Sequence, residues 1–237
     1  MIILKKLINS ILFTLGYRIH KTRNNLPPNT IFGDLLPQQQ IVDIEKIALC
    51  SDFIPGMTDS NEGKLLFVLA ASQCVSGDIV EIGSWQGKSS SFLARAIQIS
   101  ENGKFFAIDN FLGNINSKEA YIVNQIDLSD LESNFKKNMS SLGLQNHVKL
   151  ISKDVTYAAR KLLGHKIRFL FIDGDHSYDG VKRDYSLFKN QLTEDAIVVF
   201  DDFDSAREGL VLAIKEFIEE TNPKVKFQMG KLLVLIL

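Results

Sequence analysis

DIVEIGSWQGKSSSFLARAIQIS, residues 78–100, joins a short apolar, β-branched run to a longer amphipathic stretch through a turn with glycines at 83 and 87. A strand entering a helix through such a turn is the opening unit of an α/β sheet. The unit recurs downstream. Apolar runs at KFFAIDNF (104–111), HVKLISKD (147–154), IRFLFIDGD (167–175) and AIVVFDDF (196–203) alternate with LSDLESNFKKNMSSLG (128–143), VTYAARKLLG (155–164) and YDGVKRDYSLFKNQL (178–192), each long enough to cross back over a sheet. This alternation predicts an α/β, Rossmann-like, doubly wound sheet, mostly parallel, with helices on both faces. After SAREGLVLAIKEFIEETN (205–222), the ending KVKFQMGKLLVLIL has two strand-like runs broken near Gly230. That is a hairpin signal, giving seven strands with the C-terminal one antiparallel.

Upstream, QQQIVDIEKIALCSDF (38–53) and SNEGKLLFVLAASQC (60–74) read as helices, the second with Ser60 as its expected N-cap. NNLPPNTIFGDLLP (24–37) contains Pro27, Pro28 and Pro37, which disfavour helix. One domain is therefore expected over 38–237, with its core from about residue 60, preceded by an extension over 1–37. Within MIILKKLINSILFTLGYRIHKTR, residues Ile3, Leu4, Leu7, Ile8, Ile11, Leu12 and Leu15 recur at helical spacing among Lys5, Lys6, Arg18, Lys21 and Arg23. An amphipathic helix is expected, too short and interrupted to span a bilayer and without the cleavage site of a signal peptide. Such a helix docks on its own domain, on a second copy of the chain as in a homo-oligomer, or on a membrane surface as a peripheral contact.

Lysine plus arginine (27) nearly cancel aspartate plus glutamate (28). No global field draws the chain onto nucleic acid, whose binding rests on phosphate neutralisation. Cys50 and Cys74 make no multi-bridge framework, and no Cys/His cluster has zinc spacing, so a reducing cytoplasm fits.

EIGSWQGKSS (81–90) admits three readings. A phosphate-binding P-loop needs four residues between its glycines, yet only Ser84, Trp85 and Gln86 separate Gly83 from Gly87. A G-x-G-x-x-G dinucleotide loop is out of register. Glu81 would also repel a diphosphate. It suits a ligand with a cationic part, such as the ammonium and sulfonium of S-adenosylmethionine. The plain alternative is a tight strand-to-helix turn. Asp109, with Asn110 beside it, ends the next strand where an acidic side chain can accept both ribose hydroxyls. Asp154, followed by Val155, ends the third, where it can accept from an adenine amino group. Either aspartate can equally be a helix cap or a turn residue.

Asp173, Asp175 and His176 follow the fourth strand, and Asp201 and Asp202 follow the fifth. If those strands are neighbours, roughly 5 Å apart, several carboxylates converge and repel one another. A hard divalent cation, Mg²⁺, Mn²⁺ or Ca²⁺, resolves that conflict better than zinc. The competing reading makes Asp175, Asp201, Asp202 and Asp204 caps of the following helices. His20, His147 and His165 suggest no role.

EIGSWQGKSS, FAIDNF, FIDGDHSYDGVKRD and VVFDDF together resemble the class I methyltransferases of the macrocin and mycinamicin sugar O-methyltransferase type, over about residues 60–237. The resemblance implies an S-adenosylmethionine-dependent O-methyltransferase acting on a sugar, glycan or other small-molecule hydroxyl. It further implies that Asp173, Asp201 and Asp202 ligate the metal and that His176 or Asp175 is the general base. Glu81, Gly83, Ser84, Gly87, Asp109, Asn110, Asp154, Val155 and Asp173 are the expected cofactor contacts. Trp85 departs from the family by standing where a middle glycine is usual. Rival expectations are a metal-independent N- or O-methyltransferase, a nucleotide-dependent kinase or ATPase, and a noncatalytic subunit of the same fold.

Overall fold

The computed structural model describes residues 38–113 and 128–237; the helix and linker expected over 1–37 lie outside the described residues. The described chain runs α1 (Gln38–Ser51), α2 (Ser60–Ser72), β1 (Asp78–Ile82), α3 (Lys88–Ser100), β2 (Phe105–Ile108), α4 (Leu131–Ser141), β3 (Lys149–Ile151), α5 (Val155–Lys161), β4 (Ile167–Ile172), α6 (Tyr178–Phe188), β5 (Leu192–Phe200), α7 (Glu208–Thr221), β6 (Val225–Met229) and β7 (Leu232–Ile236). Seven strands form one sheet in the order β3-β2-β1-β4-β5-β7-β6. Strands β1 to β5 pair in parallel, and β7 runs antiparallel to both β5 and β6. The expected architecture is present, terminal hairpin included.

Two apolar layers hold the sheet. Alternate strand residues point to opposite faces, so Ile79, Phe169, Phe171 and Val199 pack with α2 and α3 on one side. Val80, Leu170, Ile172 and Val198 pack with α6 and α7 on the other. Burying each such side chain contributes about 1.5–3 kcal/mol before chain entropy is charged. β4, fully buried along its length, is the spine of both layers.

Its second residue is charged. Arg168 is fully buried, and among the described residues no carboxylate pairs with its guanidinium. It instead donates to the carbonyls of Ala70 (2.7 Å), Gly77 (3.1 Å) and Asn102 (3.1 Å) and to Gln73 Oε1 (3.2 Å). Burial lowers its pKa to about 10, opposed by the nearby Asp78 charge. One cation thus ties the ends of α2 and α3 to the start of β1, at the amino-terminal end of the central strands and away from the carboxylates of interest.

The cap of α2 differs from expectation. Asp59, not Ser60, accepts from the amides of Asn61 (2.7 Å) and Glu62 (2.9 Å), while Glu62 Oε2 accepts from the Asp59 amide (3.1 Å). This reciprocal capping box satisfies two helix-end donors at once. Ser60 Oγ donates to Asp52 across the α1–α2 connection instead (2.6 Å).

Candidate active site

The chain reverses its direction of winding between β1 and β4, and ligands of open α/β sheets bind beyond the carboxyl ends of the strands at that point. The register is level there: Ile82 pairs with both Ile108 and Ile172, and Ile172 with Phe200. Consequently the residues just past each strand, Gly83, Asp109, Asp173 and Asp201, come to one end of the sheet.

The loop after β1 is held in a glycine-like shape. Gly83, Trp85 and Gly87 all take positive φ, at 88°, 46° and 92°. Trp85 is the non-glycine among them, and left-handed backbone costs an L residue roughly 1–2 kcal/mol. Asp109 offsets that cost by accepting the Trp85 amide on Oδ2 (2.8 Å) while Oδ1 accepts from Phe111 (2.7 Å). Burial nevertheless raises the Asp109 pKa, against the pull of those amides. Trp85, expected to depart from the loop pattern, thus takes a left-handed conformation of the kind glycine favours and packs against the core.

Glu81 is fully buried at the end of β1. Ser90 donates to its Oε2, and Oε1 has no partner among the described residues. Desolvation pushes its pKa up to about 7, with the Ser89 and Ser90 hydroxyls opposing and the Asp109 charge adding. Ser84 Oγ is also buried without a partner. A small cavity beside them is lined by Gly56, Met57, Thr58, Ser84, Lys88 and Asp173. Ser84 lines that space, and a buried carboxylate oxygen without a partner nearby, Glu81 Oε1, fits a polar ligand with a cationic group. Asn110 is exposed, its Oδ1 accepting the Leu112 amide (2.9 Å). Asp154 caps α5 through the Tyr157 amide (2.9 Å), with Val155 opening that helix.

Beside this loop stands the acidic cluster. Asp173, His176 and Asp201 each bring one ligand atom within 4.8 Å of the others. Burial raises the pKa of both Asp173 and Asp201, and each also feels the charge of Asp202. Glu62 adds to the effect at Asp173. Two buried carboxylates in contact are poor neighbours unless they share a proton or a cation. Both ring nitrogens of His176 are buried without a hydrogen bond, although Nε2 lies 3.4 Å from Asp173 Oδ1 and Nδ1 3.2 Å from Asp202 Oδ2. The donor set therefore fits a divalent cation.

Asp202 stands outside the three-residue group. Its backbone is left-handed (φ 53°), and its carboxylate meets Arg207 Nη2 (2.6 Å) and Lys231 Nζ (3.1 Å). Asp175 Oδ1 accepts from the Ser177 amide (2.9 Å), and Ser177 is the N-cap of α6. Asp204 bonds within its own turn, to the Ala206 amide (3.1 Å). His165 pairs with Asp78 (2.6 Å) at the opposite, amino-terminal end of the strands.

Several contributors were given no role by the sequence reading. Lys88 opens α3 directly after the glycine loop, whereas Met57 and Thr58, in the α1–α2 connection, line the same cavity from a segment with no motif. Asp184 lies beneath the loop after β4, its Oδ2 3.1 Å from where a β-carbon on Gly174 would sit. Burial raises its pKa to about 6. Its signal was the final aspartate of FIDGDHSYDGVKRD, an acid on the inward face of α6.

Comparison with known proteins agrees with this fold. The family described as "Methyltransferase domain" matches residues 80–203. An uncharacterized protein of Acanthamoeba polyphaga mimivirus is 29% identical over 133 residues, 54% of this chain and 52% of its own length. The chain thus spans about half the length of that relative. Among solved structures, CalS11, a TDP-rhamnose 3'-O-methyltransferase of calicheamicin biosynthesis, is 16% identical with a TM-score of 0.53, covering 98% of this chain and 93% of its own. The O-methyltransferase TomG of Streptomyces achromogenes, solved with S-adenosylmethionine, is 18% identical with a TM-score of 0.58, covering 81% and 88%.

Proposed function

The chain belongs to the methyltransferase domain family, and from that premise we propose that it methylates a hydroxyl oxygen of a sugar, glycan or related small molecule, with a divalent cation held at Asp173 and Asp201. It is an S-adenosylmethionine-dependent methyltransferase of Rossmann-like fold. Oxygen as the acceptor atom, the cation and the sugar class are the proposed part.

One observation carries the proposal. The loop after β1 and the acidic cluster after β4 are in backbone contact, because a β-carbon on Gly83 would lie 2.0 Å from the Asp173 carbonyl oxygen. A cofactor on the first loop is therefore adjacent to whatever the second loop holds. CalS11, whose acceptor is a sugar, supports the sugar class.

A sulfonium supplies an electrophilic methyl group, so the protein's task is to align and activate the acceptor oxygen. A dication at the carboxylates would lower the hydroxyl's pKa. Glu81 offers an unpartnered carboxylate oxygen to the cofactor's cationic end, and Asp109 holds the loop that receives it. Asp173 and Asp201 fix the acceptor side. His176, whose Nδ1 lies 3.2 Å from Asp202 Oδ2, takes the hydroxyl proton in this proposal. Asp175 is the alternative base, although its Oδ1 is engaged by the Ser177 amide.

The test is methyl transfer from labelled S-adenosylmethionine to a panel of sugars and glycosides, with and without EDTA. The proposal expects transfer to a sugar hydroxyl that EDTA abolishes and Mg²⁺ restores. Activity indifferent to EDTA would point to the metal-independent reading.

A further inference from the structure

We infer that Lys88 binds the carboxylate of the cofactor's amino-acid tail, and so makes the chain select S-adenosylmethionine and S-adenosylhomocysteine over adenosyl sulfur compounds that lack that group. The inference rests on the methyltransferase reading for its cofactor and is independent of the acceptor and the cation.

Lys88 lines the small cavity beside Ser84 and Asp173, and no other side chain lining that cavity is cationic. Its stem runs under the α1–α2 connection, where a β-carbon on Gly56 would lie 3.0 Å from Lys88 Cβ and 3.4 Å from Cδ. The side chain is therefore only 15% exposed. Its one ion-pair partner among the described residues is Asp52, at 3.7 Å, which is beyond hydrogen-bond reach. Asp52 is itself 53% exposed, and the oxygen facing Lys88 already accepts from Ser60 Oγ (2.6 Å). So loose and exposed a pair contributes little. The neighbouring carboxylates are occupied elsewhere. Asp59 and Glu62 serve the capping box, and Glu62 Oε1 also accepts the Lys231 amide.

A mostly buried ammonium that lacks a hydrogen bond is costly unless a ligand completes it. The cofactor carries the matching group. Its tail bears an ammonium and a carboxylate on one carbon, and the start of α3 presents an unsatisfied group of each opposite sign. Glu81 Oε1 is free for the ammonium, with Ser90 donating to the other oxygen. Lys88, two residues before that serine, is free for the carboxylate. It stands in the first turn of α3, where the helix dipole favours an anion. Its three donors let it take a carboxylate in the cavity with Asp52 still beside it.

The test is calorimetric titration of the full chain with S-adenosylhomocysteine and with its decarboxylated analogue, the aminopropyl thioether of adenosine, which keeps the nucleoside, the sulfur and the ammonium. Wild type is expected to bind S-adenosylhomocysteine about tenfold more tightly than the analogue, the scale of a charge-assisted hydrogen bond. Lys88→Met, which retains an unbranched stem, is expected to weaken S-adenosylhomocysteine about tenfold and leave the analogue unchanged, so that the two ligands bind alike. A wild type without the preference, or a variant that weakens both ligands equally or neither, overturns the inference while cofactor binding leaves the methyltransferase reading standing. A wild-type chain that binds neither ligand overturns both.

Discussion

Gly83 and Asp173 meet through their backbones: a β-carbon on the glycine would lie 2.0 Å from the aspartate's carbonyl oxygen, and Gly83 itself sits at φ 88°. Gly83→Ala combines a clash with backbone that cannot yield and a left-handed alanine, costing about 3 kcal/mol or more. Urea unfolding should show that loss together with lost S-adenosylhomocysteine binding. Gly143→Ala is the control. It shares the positive φ (68°) but has nothing within 4 Å, so only about 1 kcal/mol of conformational cost is expected.

Asp201→Asn should separate stability from activity. Desolvation and the Asp173 charge raise the Asp201 pKa, so the folded state holds a proton that the unfolded state releases at lower pH. The stability this contributes is present below the unfolded pKa and lost as pH rises through the folded one. Asparagine removes that loss, and the metal-free variant should melt at a higher temperature than wild type at alkaline pH. Its kcat should fall by about 10²-fold or more, with S-adenosylhomocysteine affinity little changed.

Glu81 makes cofactor affinity depend on pH. Burial lifts its pKa to about 7, and a cationic ligand beside it favours the ionised form. S-Adenosylmethionine should therefore bind more tightly as pH rises from 6 to 8, releasing a proton on binding that calorimetry in buffers of different ionisation enthalpy will count. Glu81→Gln should flatten the dependence and lower the affinity at pH 8. An unchanged slope in that variant would remove Glu81 from this role.

Arg168 is a structural cation, and Arg168→Met should show it. The substitution keeps much of the stem's volume but orphans the carbonyls of Ala70, Gly77 and Asn102. A loss of about 3–5 kcal/mol is expected, with activity per folded molecule close to wild type.

His176→Asn should lower kcat by about 10²-fold or more while KM for the acceptor moves little, the pattern of a lost proton acceptor. Mn²⁺ affinity should persist, because Asp173 and Asp201 supply the charge. A collapse of ion binding in this variant would make His176 a ligand instead.

Much of the fold was legible because its signals are periodic and local. Short apolar runs, spaced by amphipathic helices, announced β1 to β5, and Gly230 announced the hairpin of β6 and β7. The placement of Asp173 and Asp201 followed once β4 and β5 proved adjacent. What was hidden depends on side-chain direction or on tertiary docking. Asp202, next to Asp201, has a left-handed backbone and meets Arg207, five residues on, and Lys231, from the terminal hairpin, contacts that no motif announces. Trp85 looked like a departure from the loop pattern, because no motif shows that Asp109 can clasp its amide into a glycine's conformation. Asp59 outranked Ser60 as a cap because a carboxylate can accept two amides at once.

The central claim is that Asp173 and Asp201 hold a divalent ion next to the cofactor loop, and titration of Mn²⁺ into the S-adenosylhomocysteine-saturated chain, read by electron paramagnetic resonance, tests it most directly. One ion per chain is predicted for wild type and none at the same concentrations for Asp173→Ala. A wild-type chain that binds the cofactor and leaves Mn²⁺ free in solution would contradict the account.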